Sequence, residues 1–472
     1  MRRAVSIVDG WNRDLGLTWA LVAVPIVLVI SHYIFAATSL SGIDGQRVLM
    51  VLVFCSALVC LFFKLPFHIE RFWVIGIAGI LLILLGNEYS AYLKQISYFV
   101  LLLSLIPVFV ISSRHLTGEL LVGLHIVISV VGAFLVLGCG YVFASLGISF
   151  VWAECFAFIS HPRFFNHVQL ASVFFLAYGS VHYFFSKYLR IAASTALVLL
   201  FFVAFVSAGR GLWLSVLIGL VALFVLSRGL GFRIFTVLVL AAIAGFGMSE
   251  LFGFTMSDNG GVVGLSARGD LMVDNRSQLW VLAWEGVKQN PLFGHGAYSY
   301  ATANFLPDWL PAHPHQHFLQ VAFEYGLPAV VLGYGLFGWL IMSFARQVRA
   351  SQNEFDLVLL VSLIVIACNA QYSAVLTMPL GQWFFVAYTG LIIARSDWFI
   401  AWVGSYATSP SGTGTFWMKW GRILFLGFAF YAAIYWYYVV ADYITAESKG
   451  DLDLNVLHER HNLMPRTWQN GH

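Results

Sequence analysis

Charged residues are scarce in this sequence. Aspartate, glutamate, lysine and arginine together make up 10% of the 472 residues, whereas hydrophobic residues make up 60%. The mean hydropathy of +0.85 lies far outside the range of soluble proteins. The net charge of +3 is too small to indicate a nucleic-acid-binding protein. The composition therefore predicts an all-α, polytopic membrane protein without a nucleic-acid partner.

Cysteine is also scarce, and its spacing excludes two classes of site. The five cysteines are scattered, mostly within apolar runs: Cys55, Cys60, Cys139, Cys155 and Cys368. They show no paired spacing of the kind that binds zinc, and none lies in the long polar segment from about Asp258 to Pro311. Neither a disulfide scaffold nor a thiolate metal site is expected.

Long apolar runs fill most of the chain. A helix that crosses a bilayer needs about 20 predominantly apolar residues, which predicts about 12 to 13 transmembrane helices here. The predicted spans are residues 17–37, 48–63, 72–86, 92–112, 119–147, 167–185, 191–207, 211–227, 233–250, 324–345, 356–376, 380–395 and 422–441. The first run is too long for a signal peptide and lacks a small-residue cleavage site, so we interpret it as a span.

The lysines and arginines are distributed unequally between the two sides of the predicted spans. Fifteen lie in the short connections on the side of the N-terminus, and four lie in the short connections on the other side. The positive-inside rule then predicts a cytoplasmic N-terminus and places the long polar segment outside, in the periplasm if the protein lies in a bacterial inner membrane. The domains expected are membrane helices over 1–250, a periplasmic loop over 251–323, membrane helices over 324–441 and a periplasmic tail over 442–472.

The periplasmic loop is predicted to contain an amphipathic helix over Arg276–Val287, with Trp280 and Trp284 one turn apart. Asn290-Pro291 would end this helix. Its tryptophans suit a segment lying on the membrane surface, where aromatic rings sit at headgroup level. Membrane lipid is therefore an expected partner.

Two polar clusters lie at the outer ends of predicted spans. The first comprises Arg163, Asn166, His167 and Gln169, whose donors suit sugar hydroxyls or phosphate oxygens. Its alternative interpretation is a polar helix start at which the arginine reaches the headgroups. The second is Ser207-Ala-Gly-Arg210-Gly211. A lone interfacial arginine is more often an anchor than a ligand, but flanking glycines let a large group approach the backbone.

The third cluster joins Arg276 to His313-Pro-His315-Gln316-His317. No further ligand follows at a zincin spacing, so no metal is predicted. Pro314 fits the first turn of the next helix. On that helix, a polar stripe at spacings of three and four is expected: His313, His317, Gln320 and Glu324. The alternative interpretation is that these residues cap the helix and form a polar face at the membrane interface. His315 could nevertheless accept or donate a proton near neutral pH.

These clusters, in this order, resemble the O-antigen ligase superfamily. The similar motifs are Asn166-His-Val-Gln169-Leu-Ala171, Ser207-Ala-Gly-Arg210-Gly211-x-Trp213-Leu214, Asn275-Arg276-x-x-x-Trp280, Pro291-Leu-x-Gly294-x-Gly296, His313-Pro-His315-Gln-His-Phe-Leu319 and Glu324-x-Gly326. The resemblance spans about residues 160–395 and rests on order and topology, since no single motif is specific. The family usually has His-Asn where this chain has His315-Gln316, a change that keeps the amide group.

The resemblance implies an inverting transfer of a glycan from a polyprenyl diphosphate carrier at the periplasmic face, without a metal or other cofactor. It implies that Arg210 and Arg276 hold the diphosphate and that His315 serves the acceptor hydroxyl. Glu324 could orient that histidine. The other polar residues would contact substrate: Arg163, Asn166, His167, Gln169, His313, Gln316 and His317.

The acceptor follows less directly from the sequence. Residues 371–380 are similar to a segment of the protein-directed enzymes of the superfamily, with Thr377 at the place of a glutamate. This favours a protein acceptor of the pilin type. An O-antigen ligase acting on the lipid A core and a glycan polymerase are the alternatives. A transporter of lipid-linked glycan would instead place ionisable residues along several spans, whereas here they gather at one face.

Overall fold

The computed structural model describes about half of the chain. The described residues are 23–28, 105–106, 109–110, 112–113, 116–146, 162–207, 209–251, 276–296, 299–300 and 313–401. Most predicted spans before residue 105, the span over 422–441, the polar turn at 258–261 and the tail over 442–472 lie outside them.

Helices form all the regular structure of the described residues. Those with defined bounds are α1 (Gly118–Ser145), α2 (Pro162–Val181), α3 (Lys187–Ser207), α4 (Arg210–Leu226), α5 (Arg228–Leu251), α6 (Arg276–Gln289), α7 (His317–Ser351), α8 (Glu354–Asn369), a 3-10 turn (Val375–Thr377) and α9 (Pro379–Arg395). Residues 23–28 and 397–401 are also helical. Within the described part of the chain, four stretches are long and apolar enough to span a membrane: Gly118–Val142, Lys187–Ser207, Arg228–Leu251 and His317–Ser351. The prediction of an all-α, polytopic membrane protein is confirmed.

The membrane helices pack around α3 and α8. Helix α3 lies against α1, α2 and α5, while α8 lies against α2, α4 and α9. Large side chains at their contacts are fully buried, among them Phe174, Phe201 and Phe202. Outward-facing side chains of α5 such as Phe232 and Ile243 are exposed and apolar. These helices therefore have apolar side chains on both their buried and their exposed faces. This is expected of a helix that contacts other apolar helices on one side and lipid on the other.

Successive helices run in alternating directions, so the bundle has two ends. At one end, Glu354 pairs with Arg233 and lies 2.9 Å from the His182 ring, and Asp356 pairs with Arg395. The helix ends here carry Lys187, Arg190, Arg228, Arg233, Arg346, Arg349 and Arg395. We call this the basic end. The opposite, site end carries the starts of α2, α4 and α9 and the ends of α3 and α8.

Helix α7 is interrupted at Gly326, whose φ of 84° and ψ of 169° are not helical. The His317 ring lies 3.0 Å from the Tyr334 hydroxyl. These two residues would be about 25 Å apart on a straight helix, because each residue rises 1.5 Å. Residues 317–325 therefore double back along residues 327–334. The predicted span over 324–345 is part of this longer, broken helix, which begins earlier, at His317.

The loop over residues 291–296 takes up the backbone groups that the break leaves without helical partners. Leu327 N–H donates to Pro291 O at 2.7 Å, and the N–H groups of His295 and Gly296 donate to the carbonyls of Phe323 and Glu324. Pro328 has no N–H for the Glu324 carbonyl. The loop thus stabilises the break by satisfying its polar groups.

Helix α6 packs against the folded-back part of α7 and forms a small unit that we call the cap, residues 276–296 with 317–334. Its core contains Leu279, Ala283, Val287 and Phe323. Gly286 lets the Phe323 ring lie directly on α6, since a Cβ there would be 2.1 Å from that ring. The amphipathic helix predicted over 276–287 is confirmed, and it ends before Asn290-Pro291 as expected.

Candidate functional site

Arg210 begins α4 at the site end, between two glycines that contact polar side chains. A Cβ on Gly209 would lie 2.4 Å from the Asn166 amide nitrogen, and one on Gly211 would lie 3.3 Å from the Tyr372 ring. Asn166 in turn accepts a hydrogen bond from the Ser207 hydroxyl at 2.9 Å. The Arg210 side chain is exposed and has no hydrogen-bond or ion-pair partner among the described residues. Its backbone is held while its guanidinium remains accessible.

Three side-chain groups lie within hydrogen-bonding distance of the Gly211 carbonyl. They are Ser215 Oγ at 2.8 Å, Tyr372 OH at 3.3 Å and Asn369 Nδ2 at 3.4 Å. The Ser215 and Tyr372 hydroxyls also bond to each other, and Asn369 Nδ2 donates to Ser215 Oγ at 3.1 Å. The first turn of α4 is thereby joined to the end of α8.

The turn Asn369–Tyr372 also contacts residues His313–His317, which we call the histidine segment. His317 N–H donates to Ala370 O at 2.9 Å. Gln371 Nε2 donates to the Tyr334 hydroxyl at 3.2 Å, and this hydroxyl lies against the His317 ring. The turn therefore meets Gly211 through its first and last residues and His317 through its two middle ones.

The histidine segment is not helical before α7 begins at His317. Gln316 is the N-cap residue, and its side-chain oxygen accepts a hydrogen bond from the Leu319 N–H. Gln316 therefore performs here the N-capping role for which asparagine is among the favoured residues. The expectation that Pro314 and His313 lie on the helix is wrong, because the helix begins only at His317.

His315 has a left-handed backbone, with φ of 53°. Its ring centroid lies 4.0 Å from that of His313, edge to face. His313 is buried, whereas His315 is partly exposed. A positive φ is uncommon for residues other than glycine, and it costs about 1 to 2 kcal/mol. The surrounding contacts therefore hold His315 in a set direction.

Trp280 connects the histidine segment to α6. Its indole N–H donates to the carbonyl of Pro314 at 3.0 Å. Arg276 lies one helical turn before Trp280 and on the same face of α6, at a spacing of four residues. This contact brings the start of α6, and with it Arg276, to the side of the histidine segment.

The remaining predicted site residues lie around this region. Arg163 is in the first turn of α2, and His167 is buried one residue after Asn166. Gln169 is fully buried, and its Nε2 donates to Leu200 O on α3 at 2.9 Å. Glu324 is buried in the cap, about 10 Å of helical rise beyond His317. The substrate contacts of these residues stay predictions.

Four residues of the region were not singled out in the sequence: Ser215, Tyr334, Asn369 and Tyr372. Each is a polar residue within or beside a mostly apolar run, which by itself is an ordinary feature of membrane helices. Only their shared contacts, between positions more than 150 residues apart for Ser215 and Tyr372, distinguish them. Among the described residues, no three His, Cys, Asp or Glu side chains are grouped as metal ligands.

Comparison with known proteins adds the family. Residues 195–334 match the family model described as O-Antigen ligase, a range that includes Arg210, Arg276 and the histidine segment. No curated protein matches the chain. The chain therefore carries a glycosyltransferase domain of the O-antigen ligase family over residues 195–334, and it is a multi-pass membrane protein.

Proposed function

We propose that the protein transfers a glycan from a polyprenyl diphosphate carrier to an acceptor hydroxyl at the periplasmic face, with inversion and without a metal. One observation supports this above the others. The turn Asn369–Tyr372 contacts both the backbone beside Arg210 and the segment that carries His315. The Arg210 guanidinium, which is suited to binding a diphosphate, and the His315 imidazole, which is suited to accepting a hydroxyl proton, are thus carried by segments that contact the same turn.

Arg210 and Arg276 are proposed to bind the diphosphate. When the bond between the anomeric carbon and the phosphate oxygen breaks, negative charge develops on the leaving diphosphate. Guanidinium groups stabilise such charge through paired hydrogen bonds. The exposed Arg210 side chain, which has no partner among the described residues, is suited to this role.

His315 is proposed to serve the acceptor. As the acceptor oxygen forms its bond to the anomeric carbon, the hydroxyl proton passes to the imidazole. Attack opposite the leaving diphosphate inverts the configuration. The fixed backbone of His315 suits a group that must hold one direction. Glu324 and the remaining predicted polar residues are proposed to orient the histidine or contact the substrates.

The site end is proposed to face the periplasm. Among the described residues, seven lysines and arginines lie at the basic end: Lys187, Arg190, Arg228, Arg233, Arg346, Arg349 and Arg395. The positive-inside rule favours the cytoplasm for that end. The donor glycan and acceptor would then meet on the opposite side.

The acceptor is proposed to be a serine or threonine of a pilin-like protein. Residues 371–380, which are similar to a segment of protein-directed enzymes, continue directly from the turn Asn369–Tyr372 into the 3-10 turn and α9. An acceptor-selective segment would need this proximity to the site.

Reconstituted transfer tests the function. The purified protein would be given a polyprenyl diphosphate-linked glycan with either a pilin-like protein or lipid A core as acceptor. We expect glycosylation of the pilin-like protein and no transfer to lipid A core. Transfer to lipid A core alone would replace the protein acceptor, and transfer to neither would contradict the proposed function.

Arginine variants test the donor site in the same assay. Arg210→Ala and Arg276→Ala are each expected to lower kcat/KM for the donor by about 10- to 150-fold, because a charge-assisted contact is worth about 1.5 to 3 kcal/mol. Lysine should rescue poorly, since it lacks the planar fork. Arg349→Ala, an exposed arginine at the basic end, is the matched control. Near-normal transfer by Arg276→Ala at low donor concentration would remove Arg276 from the site.

A further inference from the structure

Tyr372 occupies an unusual place beside the proposed donor arginine. Its ring lies against Gly211, and its hydroxyl bonds to both the Gly211 carbonyl and the Ser215 hydroxyl. Arg210 is the residue directly before Gly211. The side chain of Tyr372 is therefore separated from Arg210 by a single peptide unit.

The contact is specific because of where Gly211 lies in α4. Gly209 is the N-cap of α4 and provides no side-chain cap. The first turn of a helix without such a cap frays readily, since its N–H groups have no helical partners. Asn369 and Tyr372 anchor this turn from outside the helix, through their contacts with the Gly211 carbonyl and the Ser215 hydroxyl, directly beside Arg210.

Resting on the proposed function, we infer that Tyr372 is a positioning residue for Arg210. Together with Ser215 and Asn369, it fixes the first turn of α4 so that the Arg210 guanidinium meets the donor diphosphate. Tyr372 itself does not contact the donor.

The turn Asn369–Tyr372 then has a second consequence. Its middle residues hold His317 through the Ala370 carbonyl and the Gln371–Tyr334 pair. The donor arginine and the histidine segment are thus fixed against the same four residues. A change in this turn on the Gly211 side should alter donor binding, whereas the histidine contacts remain in place.

Steady-state kinetics of Tyr372→Phe test the role. This variant keeps the ring against Gly211 and removes only the hydroxyl. The donor KM is expected to rise roughly three- to tenfold, with the acceptor KM unchanged. Ser215→Ala, which removes the other hydroxyl of the pair, should produce the same shift and serves if Tyr372→Phe does not fold.

A double-mutant cycle separates positioning from general loosening of the bundle. Once Arg210 is replaced by alanine, adding Tyr372→Phe should have no further effect on the donor kinetics. Tyr388→Phe is the matched control, because its buried hydroxyl bonds to His125 and the Ala171 carbonyl instead. It should leave the donor KM unchanged.

Three results would overturn the inference while the wild type still transfers glycan. They are an unchanged donor KM in both Tyr372→Phe and Ser215→Ala, equal effects of Tyr372→Phe with and without Arg210, or the same KM shift in Tyr388→Phe. Failure of the wild type to transfer glycan would instead overturn the proposed function, and this role with it.

Discussion

His315 combines chemistry and backbone geometry in a single residue. Its left-handed conformation is of a kind that often occurs at functional sites, where the surrounding structure must enforce it. Three neighbouring contacts do so here: the Trp280 bond to Pro314, the Gln316 cap and the His317 bond to Ala370. The imidazole is consequently directed by fixed residues on both sides.

Replacement of His315 separates its chemistry from its backbone role. His315→Ala and His315→Asn are each expected to lower kcat by about 100-fold or more, since a general base contributes at least this much. Asparagine tolerates the left-handed region better than alanine, so its protein should unfold at nearly the wild-type temperature. Turnover and thermal unfolding of both variants would be measured with the same donor and acceptor.

A catalytic role predicts that both variants lose turnover alike. Recovery of activity in His315→Asn would mean that the backbone, and not the imidazole, matters. A chelator should not inhibit the wild type, and inhibition reversed by added zinc would favour a metal site at the histidines instead.

Arg210 shows how far residue-level reasoning extends. The flanking glycines predicted that a large group approaches the backbone, and the groups found there are the protein's own Asn166 and Tyr372. Tyr372 lies more than 150 residues away in the chain, so local spacing contains no information about this contact. The sequence could thus identify the arginine but not the residues that hold it.

At the scale of helices, apolar runs predicted where most described helices lie, but the run over 356–376 contains both α8, which ends at Asn369, and the turn that follows it. The span predicted over 191–207 is α3, Lys187–Ser207, and the one over 380–395 is α9, Pro379–Arg395. Hydropathy did not predict the break in α7, although Gly326-Leu-Pro328 is a local pattern that disfavours a continuous helix. The hydrogen bonds that stabilise the break come from a loop that precedes it by about 30 residues, and local spacing contains no information about that contact.

Gly326→Ala tests whether the break holds the cap together. A Cβ at this position would lie 2.3 Å from the Leu292 carbonyl oxygen, and alanine disfavours the φ of 84°. We expect a loss of at least about 2 kcal/mol in cap stability. Limited proteolysis of α6 and thermal unfolding would detect it.

Gly335→Ala is the control in the same helix. A Cβ there would have nothing within 4 Å, and the backbone is helical. Its stability should equal or slightly exceed that of the wild type. Equal resistance of the Gly326→Ala protein to protease and heat would mean that the loop over residues 291–296 does not stabilise the break.

At the scale of the whole molecule, short helices determine the depth of the site. Helices α4 and α8 have 17 and 16 residues, which corresponds to lengths of about 25 Å. The hydrocarbon core of a bilayer is about 30 Å thick. If the basic end lies at one membrane surface, Arg210 and the turn Asn369–Tyr372 lie just inside the opposite boundary. Such a depth suits a donor whose diphosphate sits at the interface and whose polyprenyl chain lies in lipid.

The orientation of the bundle can be tested with single cysteines, introduced into a variant in which the five native cysteines have been replaced. Gln289 and Ala350 are both exposed, the first at the end of α6 in the cap and the second at the basic end of α7. If the cap is periplasmic, Gln289→Cys should react with a membrane-impermeant thiol reagent in intact spheroplasts. Ala350→Cys should react only after lysis, because the positive-inside rule places the basic end in the cytoplasm. The reverse pattern would invert the topology and move the proposed glycan transfer to the cytoplasmic face, where a periplasmic acceptor could not be reached.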